Sequence, residues 1–256
     1  MHLVPPEALL HWLSVAMLVT ALLTFVATSF IAAPYGRYST SRGWGALLPA
    51  GAAWAVMESP NLWVPLLVHR LYGSRVLGHL PNMLLLSFFY VHYVNRAVLY
   101  PLRVSRGNPM PLSVCALASG FCCWNALIQS LHLIVVKEYP SAWLFDLRFA
   151  VGVGAFLIGM GVNVHADNTL LRMRANRKGY FIPTGGLFDY VSCANYSGEV
   201  LEWTGFALAT WSLPALAFAV YTFANLAPRA RRHHQWYLEK FVEYPKQRKA
   251  VIPFLW

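Results

Sequence analysis

The chain has 256 residues, of which 57% are hydrophobic and 12% are charged, and its formal net charge is +10. Soluble domains carry roughly 25% charged residues and roughly 45–50% apolar ones. The composition therefore excludes an ordinary soluble domain and predicts a chain that lies mostly in lipid. The positive charge needs no nucleic-acid partner, because membrane proteins collect cations in their cytoplasmic loops.

Seven apolar stretches follow one another along the chain. A transmembrane helix needs about 20 such residues. The stretches are residues 8–33, 44–68, 81–100, 112–136, 147–171, 187–211 and 213–226. They predict an all-α fold, a seven-transmembrane helix bundle formed as a single domain by residues 1–256. The first stretch is too long for the apolar core of a signal peptide, so it predicts a permanent helix. Pro214 predicts a break between the last two helices, because proline removes a helix hydrogen bond.

The lysines and arginines predict the orientation of the bundle. If the N-terminus lies outside, fifteen of the twenty fall in inside loops and the inside tail, four fall outside, and Arg96 lies within the third stretch. The excess of cations on the cytoplasmic side then places the C-terminus in the cytoplasm. The sequence thus predicts a multi-pass protein of the endoplasmic reticulum membrane or of a bacterial inner membrane.

Several ionisable side chains interrupt the apolar stretches. A charged side chain at the centre of a bilayer costs roughly 2.5–3.5 kcal/mol on insertion scales, so such residues usually face a cavity and serve a function. They are Glu58, Arg96, Asp167, Glu199 and Glu202. A polar cavity between helices explains them better than a simple membrane anchor does.

Two of the carboxylates each form a helically spaced pair with an asparagine. Asn163 and Asp167 are four residues apart, as are Asn195 and Glu199, so each pair lies on one face of its helix. Carboxylates and amides hold ribose hydroxyls or a nicotinamide carboxamide, and arginines pair with phosphate oxygens. Basic residues lie close by, namely Arg172, Arg174, Arg177, Lys178 and the run "PRARRHHQWY" at 228–237. The combination predicts a site for a phosphorylated nucleotide at cytoplasmic helix ends.

The glycine-rich run "GVGAFLIGMG", residues 152–161, is not a dinucleotide-binding fingerprint. No strand precedes it, and it lies within an apolar stretch, so its glycines predict close packing between helices. His165 is two residues from Asn163 and therefore lies on another face, where we expect a helix-interface histidine. The sequence predicts no metal site, because no group of potential ligands has a suitable spacing.

Long stretches of the chain resemble the steroid 5α-reductase family. The most specific are "PTGGLFDYVSCANYSGEVLEWTGFALATWSLPALAFA" at 183–219 and "HHQWYLEKFVEYPKQRKAVIPFLW" at 233–256. Further upstream, "GMGVNVHAD", "EYPSAWLFDLRF", "VHYVNRAVLYPL", "AAWAVMESP" and "PYGRY" extend the resemblance over nearly the whole chain. The resemblance implies a seven-helix NADPH-dependent reductase of 3-oxo-Δ4 steroids, with most of the NADPH site in the C-terminal half, residues 140–256.

The resemblance also implies roles for particular residues. Glu58 and Tyr93 match the pair that meets the ketone of the steroid, and Trp54 and Trp203 match residues that pack against its rings. The implied cofactor contacts are Tyr35, Arg37, Tyr100, Asn163, Asp167, Arg174, Asn195, Glu199, Arg229, His233 and Tyr237.

The implied chemistry agrees with these residue types. A conjugated ketone accepts hydride at its β-carbon if a donor stabilises the negative charge that grows on the ketone oxygen. Tyr93 can donate from its phenol. Glu58 can donate when protonated, or it can accept a hydrogen bond and thereby orient Tyr93; the sequence leaves both roles open.

Two other classes of function remain open on the pattern alone. One is a different enzyme on the same kind of bundle, such as a sterol reductase or an isoprenylcysteine methyltransferase-like protein. The other is a lipid transporter, although no pair of interrupted stretches recurs in the two halves of the chain. As partners we expect a steroid that enters from the bilayer and membrane lipid, no nucleic acid and no metal ion, and we expect a monomer.

Overall fold

The computed structural model describes residues 6–40, 43–73, 78–104, 107–176 and 179–256. Five of the cations used above to predict the orientation and the basic loop lie outside the described residues, namely Arg42, Arg75, Arg106, Arg177 and Lys178.

Helices account for most of the described chain, as predicted. They are α1 (Pro6–Phe30), α2 (Ala50–Glu58), α3 (Pro60–Tyr72), α4 (Leu80–Val94), α5 (Tyr100–Arg103), α6 (Leu112–Ser130), α7 (Leu147–Asn176), α8 (Ala194–Thr210) and α9 (Leu213–Lys240). Two π-helical segments, Asn95–Leu99 and Leu131–Val136, continue α4 and α6. The described strands, β1 (Leu47–Leu48) and β2 (Met110–Pro111), form one short antiparallel pair.

Each of the seven apolar stretches contains helix, but their lengths differ. Three helices of the described chain are long and apolar enough to cross a membrane: Pro6–Phe30, Leu112–Val136 and Leu147–Ala175. The second stretch is divided, because α2 ends at Glu58 and α3 begins at Pro60. Helix α8 has only 17 residues, and the second half of α9 is strongly charged. The seven-span bundle therefore remains a prediction, while a helical membrane protein agrees with the structure.

The break predicted near Pro214 is present. Helix α8 ends at Thr210, and Trp211 adopts a left-handed backbone conformation with φ of 45°. Helix α9 then begins at Leu213, which makes Pro214 its second residue. Proline is well tolerated there, because the first N–H groups of a helix have no intrahelical partner.

The described residues form two compact units. The first comprises those of Met1–Ala16, Ala33–Ala150 and Ser212–Ala215; the second comprises those of Met17–Ala32, Val151–Trp211 and Leu216–Trp256. Within the first unit, α2 and α3 both pack along α6. A hydrophobic cluster of Ala53, Met57, Met110 and Cys115 joins α2 to the start of α6. We predicted a single domain for residues 1–256, and that remains a prediction.

Within the second unit, glycines allow α7 and α8 to approach backbone to backbone. A Cβ atom at Gly159 would lie 2.3 Å from the backbone nitrogen of Glu202, and one at Gly198 would lie 2.4 Å from that of Asn163. Two helical turns away the helices are equally close. A Cβ atom at Gly152 would meet the backbone of Ala209, and one at Gly205 would meet that of Phe156. Helix-packing glycines are thus confirmed for Gly152 and Gly159, whereas Gly154 and Gly161 face open space.

The C-terminal tail is hydrogen-bonded to the segment that precedes α8. The backbone N–H of Ser192 donates to Lys249 (2.8 Å), and that of Lys249 donates to Tyr190 (2.9 Å). The Arg248 guanidinium donates to the carbonyl oxygen of Pro183 (2.8 Å). These bonds hold the end of the chain beside the N-terminal end of α8, which carries Asn195 and Glu199.

Candidate active site

In the first unit, Glu58 and Tyr93 both lie against the same face of α6. The Cys122 thiol donates to Glu58 Oε2 at 3.5 Å, and Asn125 Nδ2 donates to Tyr93 Oη at 2.9 Å. Because Cys122 and Asn125 are three residues apart on a helix, their side chains share a face. Glu58 is half-buried at the end of α2, while Tyr93 is buried in α4. The two residues that the resemblance pairs are therefore linked through neighbouring positions of one helix.

Three amide side chains form a hydrogen-bonded network beside this pair. Asn125 Nδ2 also donates to Asn61 Oδ1 (3.4 Å), and Asn61 Nδ2 donates to the backbone oxygen of Glu58 (3.4 Å). Gln129 Nε2 donates to Asn125 Oδ1 (3.3 Å). Our sequence reasoning missed all three amides because it searched the apolar stretches only for ionisable side chains. For Asn125 and Gln129 a signal was present, because two uncharged polar residues at four-residue spacing lie in "WNALIQ", residues 124–129.

Trp54 lies beside Arg96 and Tyr100, also in the first unit. The Trp54 and Tyr100 rings meet edge to face with centroids 5.2 Å apart, and the Arg96 guanidinium lies 4.5 Å from the Trp54 ring centroid. Arg96 belongs to the π-helical segment, and this cation–π contact accommodates its charge in a buried position. The proposed steroid-packing tryptophan is thus held by a cation and an aromatic ring.

Tyr35 and Arg37 lie near this aromatic group in the fold of the first unit. Tyr35 packs on the hydrophobic cluster of Ala53 and Met57, as Trp54 does. Arg37 is in a short 3₁₀ turn, Gly36–Tyr38, and Asn108 Nδ2 donates to the Gly36 carbonyl oxygen of that turn at 2.7 Å. The turn is therefore fixed by a side chain that our sequence reasoning did not include in the site.

In the second unit, the two polar pairs predicted from helical spacing come together. Asn163 Nδ2 donates to the backbone oxygen of Asn195 (2.9 Å), and Asn195 Nδ2 donates to Asp167 Oδ1 (3.1 Å). Asn163 and Asp167 are buried. The close packing of α7 on α8 at Gly198 brings these side chains within hydrogen-bonding distance. Glu199 is half-buried in the first turns of α8, and Arg174 is exposed near the end of α7.

Helix α9 contributes the remaining predicted cofactor residues to the second unit. Arg229 Nη2 donates to Tyr196 Oη (3.0 Å), and the His233 and Tyr196 rings lie 6.1 Å apart. Tyr237 is buried and stacks on Tyr244 with centroids 5.1 Å apart. Tyr196, which our sequence reasoning missed, therefore ties α8 to two of these residues. It had no signal of its own, because a tyrosine near a helix start is common in membrane proteins.

A buried polar group supports this part of α9 from behind. Ser192 Oγ lies 2.6 Å from both His234 Nδ1 and Tyr244 Oη. Burial, assisted by the nearby Lys249 cation, lowers the pKa of His234 from its usual range. The imidazole is therefore neutral at pH 7 and shares a hydrogen bond with Ser192, which helps to keep α9 and the tail together.

Trp203 and His165 have surroundings of different kinds in the second unit. Trp203 is 1% exposed and packs edge to face against Phe218, Phe156 and Phe206. Its role in packing against a steroid remains a prediction. His165 is exposed and lies against Gly186, at an apolar cavity of about 300 Å³. It is thus directed away from Asn163, as its spacing predicted, but its ring is exposed beside Gly186 and does not lie in a helix interface as we expected.

Comparison with known proteins identifies the family. The family model described as 3-oxo-5-alpha-steroid 4-dehydrogenase matches residues 108–256. The chain is 47% identical over 234 residues to 3-oxo-5-alpha-steroid 4-dehydrogenase 1 of Bos taurus, covering 90% of this chain and 91% of that protein. It is 46% identical over 254 residues to Steroid 5-alpha-reductase DET2 of Solanum lycopersicum, covering 98% of each.

The chain belongs to the steroid 5α-reductase family. Its identity to 3-oxo-5-alpha-steroid 4-dehydrogenase 2 of Homo sapiens is 44% over 230 residues, or 88% of this chain and 90% of the human protein. Steroid 5α-reductases are oxidoreductases, so the protein is an enzyme and requires a nicotinamide-type reductant. Membership confirms the resemblance and decides against the methyltransferase and transporter alternatives.

Proposed function

We propose that this steroid 5α-reductase reduces the Δ4 double bond of 3-oxo-Δ4 steroids to give 5α-reduced 3-oxo steroids. One structural observation carries the proposal beyond family membership. A phenol and a carboxyl group, Tyr93 and Glu58, adjoin one face of α6. A phenol hydroxyl group can donate a hydrogen bond to a steroid ketone oxygen, where negative charge grows during hydride addition.

Tyr93 acts in this proposal as the donor to the ketone oxygen. Hydride addition at the β-carbon moves negative charge onto that oxygen, and a donor in a water-poor site stabilises the charge strongly. Glu58 supports it either as a second, protonated donor or as an acceptor that orients a neighbouring group. The Cys122 thiol donates to Glu58 Oε2, so this carboxyl group already acts as an acceptor in the first unit.

We further propose NADPH as the nicotinamide cofactor. The polar side chains of the second unit fit a phosphorylated nucleotide. They are the amides of Asn163 and Asn195, the carboxylates of Asp167 and Glu199, and the guanidinium groups of Arg174 and Arg229. The hydrogen bond to Tyr196 presents the Arg229 guanidinium in a fixed direction, as a phosphate contact requires. When bound, NADPH supplies the hydride. His233 and Tyr237 complete the proposed set of contacts within the second unit. The cofactor roles of Tyr35, Arg37 and Tyr100 rest on the family resemblance alone.

The proposed activity predicts NADPH-dependent product formation. Protein purified in detergent and incubated with NADPH and a panel of 3-oxo-Δ4 steroids should form 5α-dihydro products, identified by mass spectrometry and chromatography against 5α and 5β standards. NADH should support a lower rate, because it lacks the 2′-phosphate that cations bind. Products of 5β configuration, or no reduction of any enone steroid, would contradict the proposal.

Arg174→Ala provides the cofactor control for this experiment. If Arg174 binds the 2′-phosphate, the variant should lose about tenfold in NADPH affinity while NADH affinity hardly changes, since a charge-assisted hydrogen bond contributes roughly 1.5–3 kcal/mol. Arg231→Ala is a matched variant, an exposed arginine of the same unit outside the proposed contacts. Equal losses for both cofactors would remove Arg174 from the phosphate site.

For topology, we propose seven spans with the N-terminus outside and the C-terminus in the cytoplasm. The asymmetry of fifteen inside to four outside cations supports this orientation. Short epitope tags at the two ends should then be accessible from opposite sides of sealed vesicles. Accessibility of both tags from the same side would require an even number of spans.

A further inference from the structure

The amide side chains of Asn125 and Gln129 form a continuous hydrogen-bonded chain along α6. They are 0% and 1% exposed, respectively. Gln129 Nε2 donates to the backbone oxygen of Pro214 (3.1 Å) and to Asn125 Oδ1 (3.3 Å). Asn125 Nδ2 in turn donates to Tyr93 Oη (2.9 Å) and to Asn61 Oδ1 (3.4 Å). This series of hydrogen bonds thus runs from the Pro214 carbonyl group to the phenol of Tyr93.

Backbone carbonyl groups determine which way round each side-chain amide of this series is oriented, that is, where its amino group and its oxygen point. A carbonyl oxygen can only accept, so Gln129 must present its amino group to Pro214, and the second hydrogen of that group meets Asn125 Oδ1. Asn61 is fixed in the same way, because its amino group donates to the Glu58 carbonyl oxygen at 3.4 Å and its Oδ1 faces Asn125. Both neighbours therefore require Asn125 to turn its amino group toward Tyr93.

This fixed direction determines how Tyr93 uses its own hydrogen. The phenol oxygen accepts from Asn125, so the hydroxyl hydrogen cannot be given to Asn125 and points elsewhere. A hydroxyl group that accepts one hydrogen bond is also a stronger donor in the next, because hydrogen bonds in a chain polarise one another. An amide with the opposite direction would instead take the hydrogen that the ketone needs.

We propose that Asn125, held in direction by Gln129 and Asn61, is a positioning residue that makes Tyr93 a donor toward the steroid ketone. The proposal rests on the proposed catalytic role of Tyr93. It assigns Asn125 no contact with the reacting atoms: it acts through Tyr93 alone. A purely structural role for Asn125 would affect folding without depending on the Tyr93 hydroxyl group, and a double-mutant cycle separates the two roles.

The test uses the full-length protein in detergent with NADPH and a 3-oxo-Δ4 steroid. Asn125→Leu keeps the approximate size of the side chain and removes its hydrogen bonds. We expect kcat per folded molecule to fall roughly five- to tenfold, the effect of one lost hydrogen bond, with NADPH affinity unchanged. In a Tyr93→Phe background the same substitution should lower the residual kcat less than twofold.

Asn82→Leu is the matched control. Asn82 is a 0% exposed asparagine on α4 that bonds the Leu133 and Lys137 carbonyl groups (2.9 and 2.7 Å), so its loss should lower the melting temperature and leave kcat unchanged. If Asn125→Leu is not recovered folded, Gln129→Met replaces it in the cycle, since it removes a partner that fixes the Asn125 amide.

Three results distinguish the outcomes of this experiment. A kcat effect that disappears in the Tyr93→Phe background supports the proposal. An unchanged kcat for Asn125→Leu, or an equal loss in both backgrounds, overturns it. If Tyr93→Phe alone leaves kcat unchanged, the proposed catalytic role of Tyr93 is wrong, and the positioning role is wrong with it.

Discussion

Replacing Tyr93 with phenylalanine should lower kcat by about a hundred- to a thousandfold, the usual effect of losing one donor to a developing oxyanion. The change removes one oxygen atom and leaves the ring, which packs on Phe89 with centroids 4.6 Å apart. NADPH affinity should therefore stay the same, because the proposed cofactor residues of the second unit are untouched. Single-turnover kinetics with a saturating enone steroid measure the chemical step directly.

Tyr90→Phe is the matched control for this variant. Tyr90 is on the same helix, and its hydroxyl group makes a long bond of 3.4 Å to the Leu62 carbonyl oxygen. Its loss should change kcat by less than a factor of about two, since weak hydrogen bonds contribute little. Comparable losses for Tyr90→Phe and Tyr93→Phe would point to altered packing of α4 instead of lost polarisation.

Glu58→Gln then separates the two roles of the carboxyl group. An amide keeps a donor, so a direct donor role predicts a mild loss of kcat. An acceptor role at both oxygens predicts a severe loss. Glutamine keeps only one acceptor oxygen, so it cannot accept hydrogen bonds from both the Cys122 thiol and a second donor. Turnover near the wild-type value in both Glu58→Gln and Tyr93→Phe would place the catalytic site elsewhere in the chain.

Gly198→Ala should have a second large effect, on cofactor binding. The added methyl group would lie 2.4 Å from the Asn163 nitrogen and 2.7 Å from the Gly159 oxygen, both backbone atoms. Helices α7 and α8 would have to separate by about 1 Å, and overpacking of this kind costs roughly 1–3 kcal/mol. Because Asn163 bonds the Asn195 backbone across this contact, NADPH affinity should fall at least about tenfold together with the melting temperature.

Gly161→Ala controls for the glycine-to-alanine change itself. Gly161 is on α7 only two residues from Asn163, and beyond its chain neighbours and the backbone of its own helix no described atom lies within 4 Å of its added Cβ. Alanine favours the helix by about 1 kcal/mol over glycine, so this variant should be as stable as the wild type or more so, with unchanged NADPH affinity. Isothermal titration in detergent measures the affinity, and an unaltered Kd for Gly198→Ala would mean that the close contact does not support the cofactor site.

The sequence predicted features that depend on local spacing. All seven apolar stretches contain helix, and a new helix begins at Leu213, next to Pro214. The helical spacing of Asn163 with Asp167 and of Asn195 with Glu199 also predicted the faces on which Asn163, Asn195 and Asp167 come into contact. These follow because helical periodicity alone decides which side chains share a face.

Features that depend on tertiary pairing could not be predicted in this way. The bonds of Asn125 to Tyr93 and of Arg229 to Tyr196 each join residues more than thirty positions apart. The π-helical turns also have no reliable signal in periodicity, because they require only one additional residue per turn. Site residues such as Trp54 and Trp203 came from the family resemblance, since a tryptophan in an apolar stretch has no spacing that assigns it a role.

The π-helical segment at Asn95–Leu99 has a consequence for comparing family members. Such a turn holds one residue more than a regular α-helix, and that residue rotates everything after it by about 100° around the helix axis. Arg96 and Tyr100 therefore meet Trp54 in a register that a regular helix would not provide. A relative that lacks the extra residue would show a one-residue gap inside the third apolar stretch. That gap would be a real change of helix geometry rather than an alignment error, and position-by-position transfer of residue roles beyond it would need to be offset accordingly.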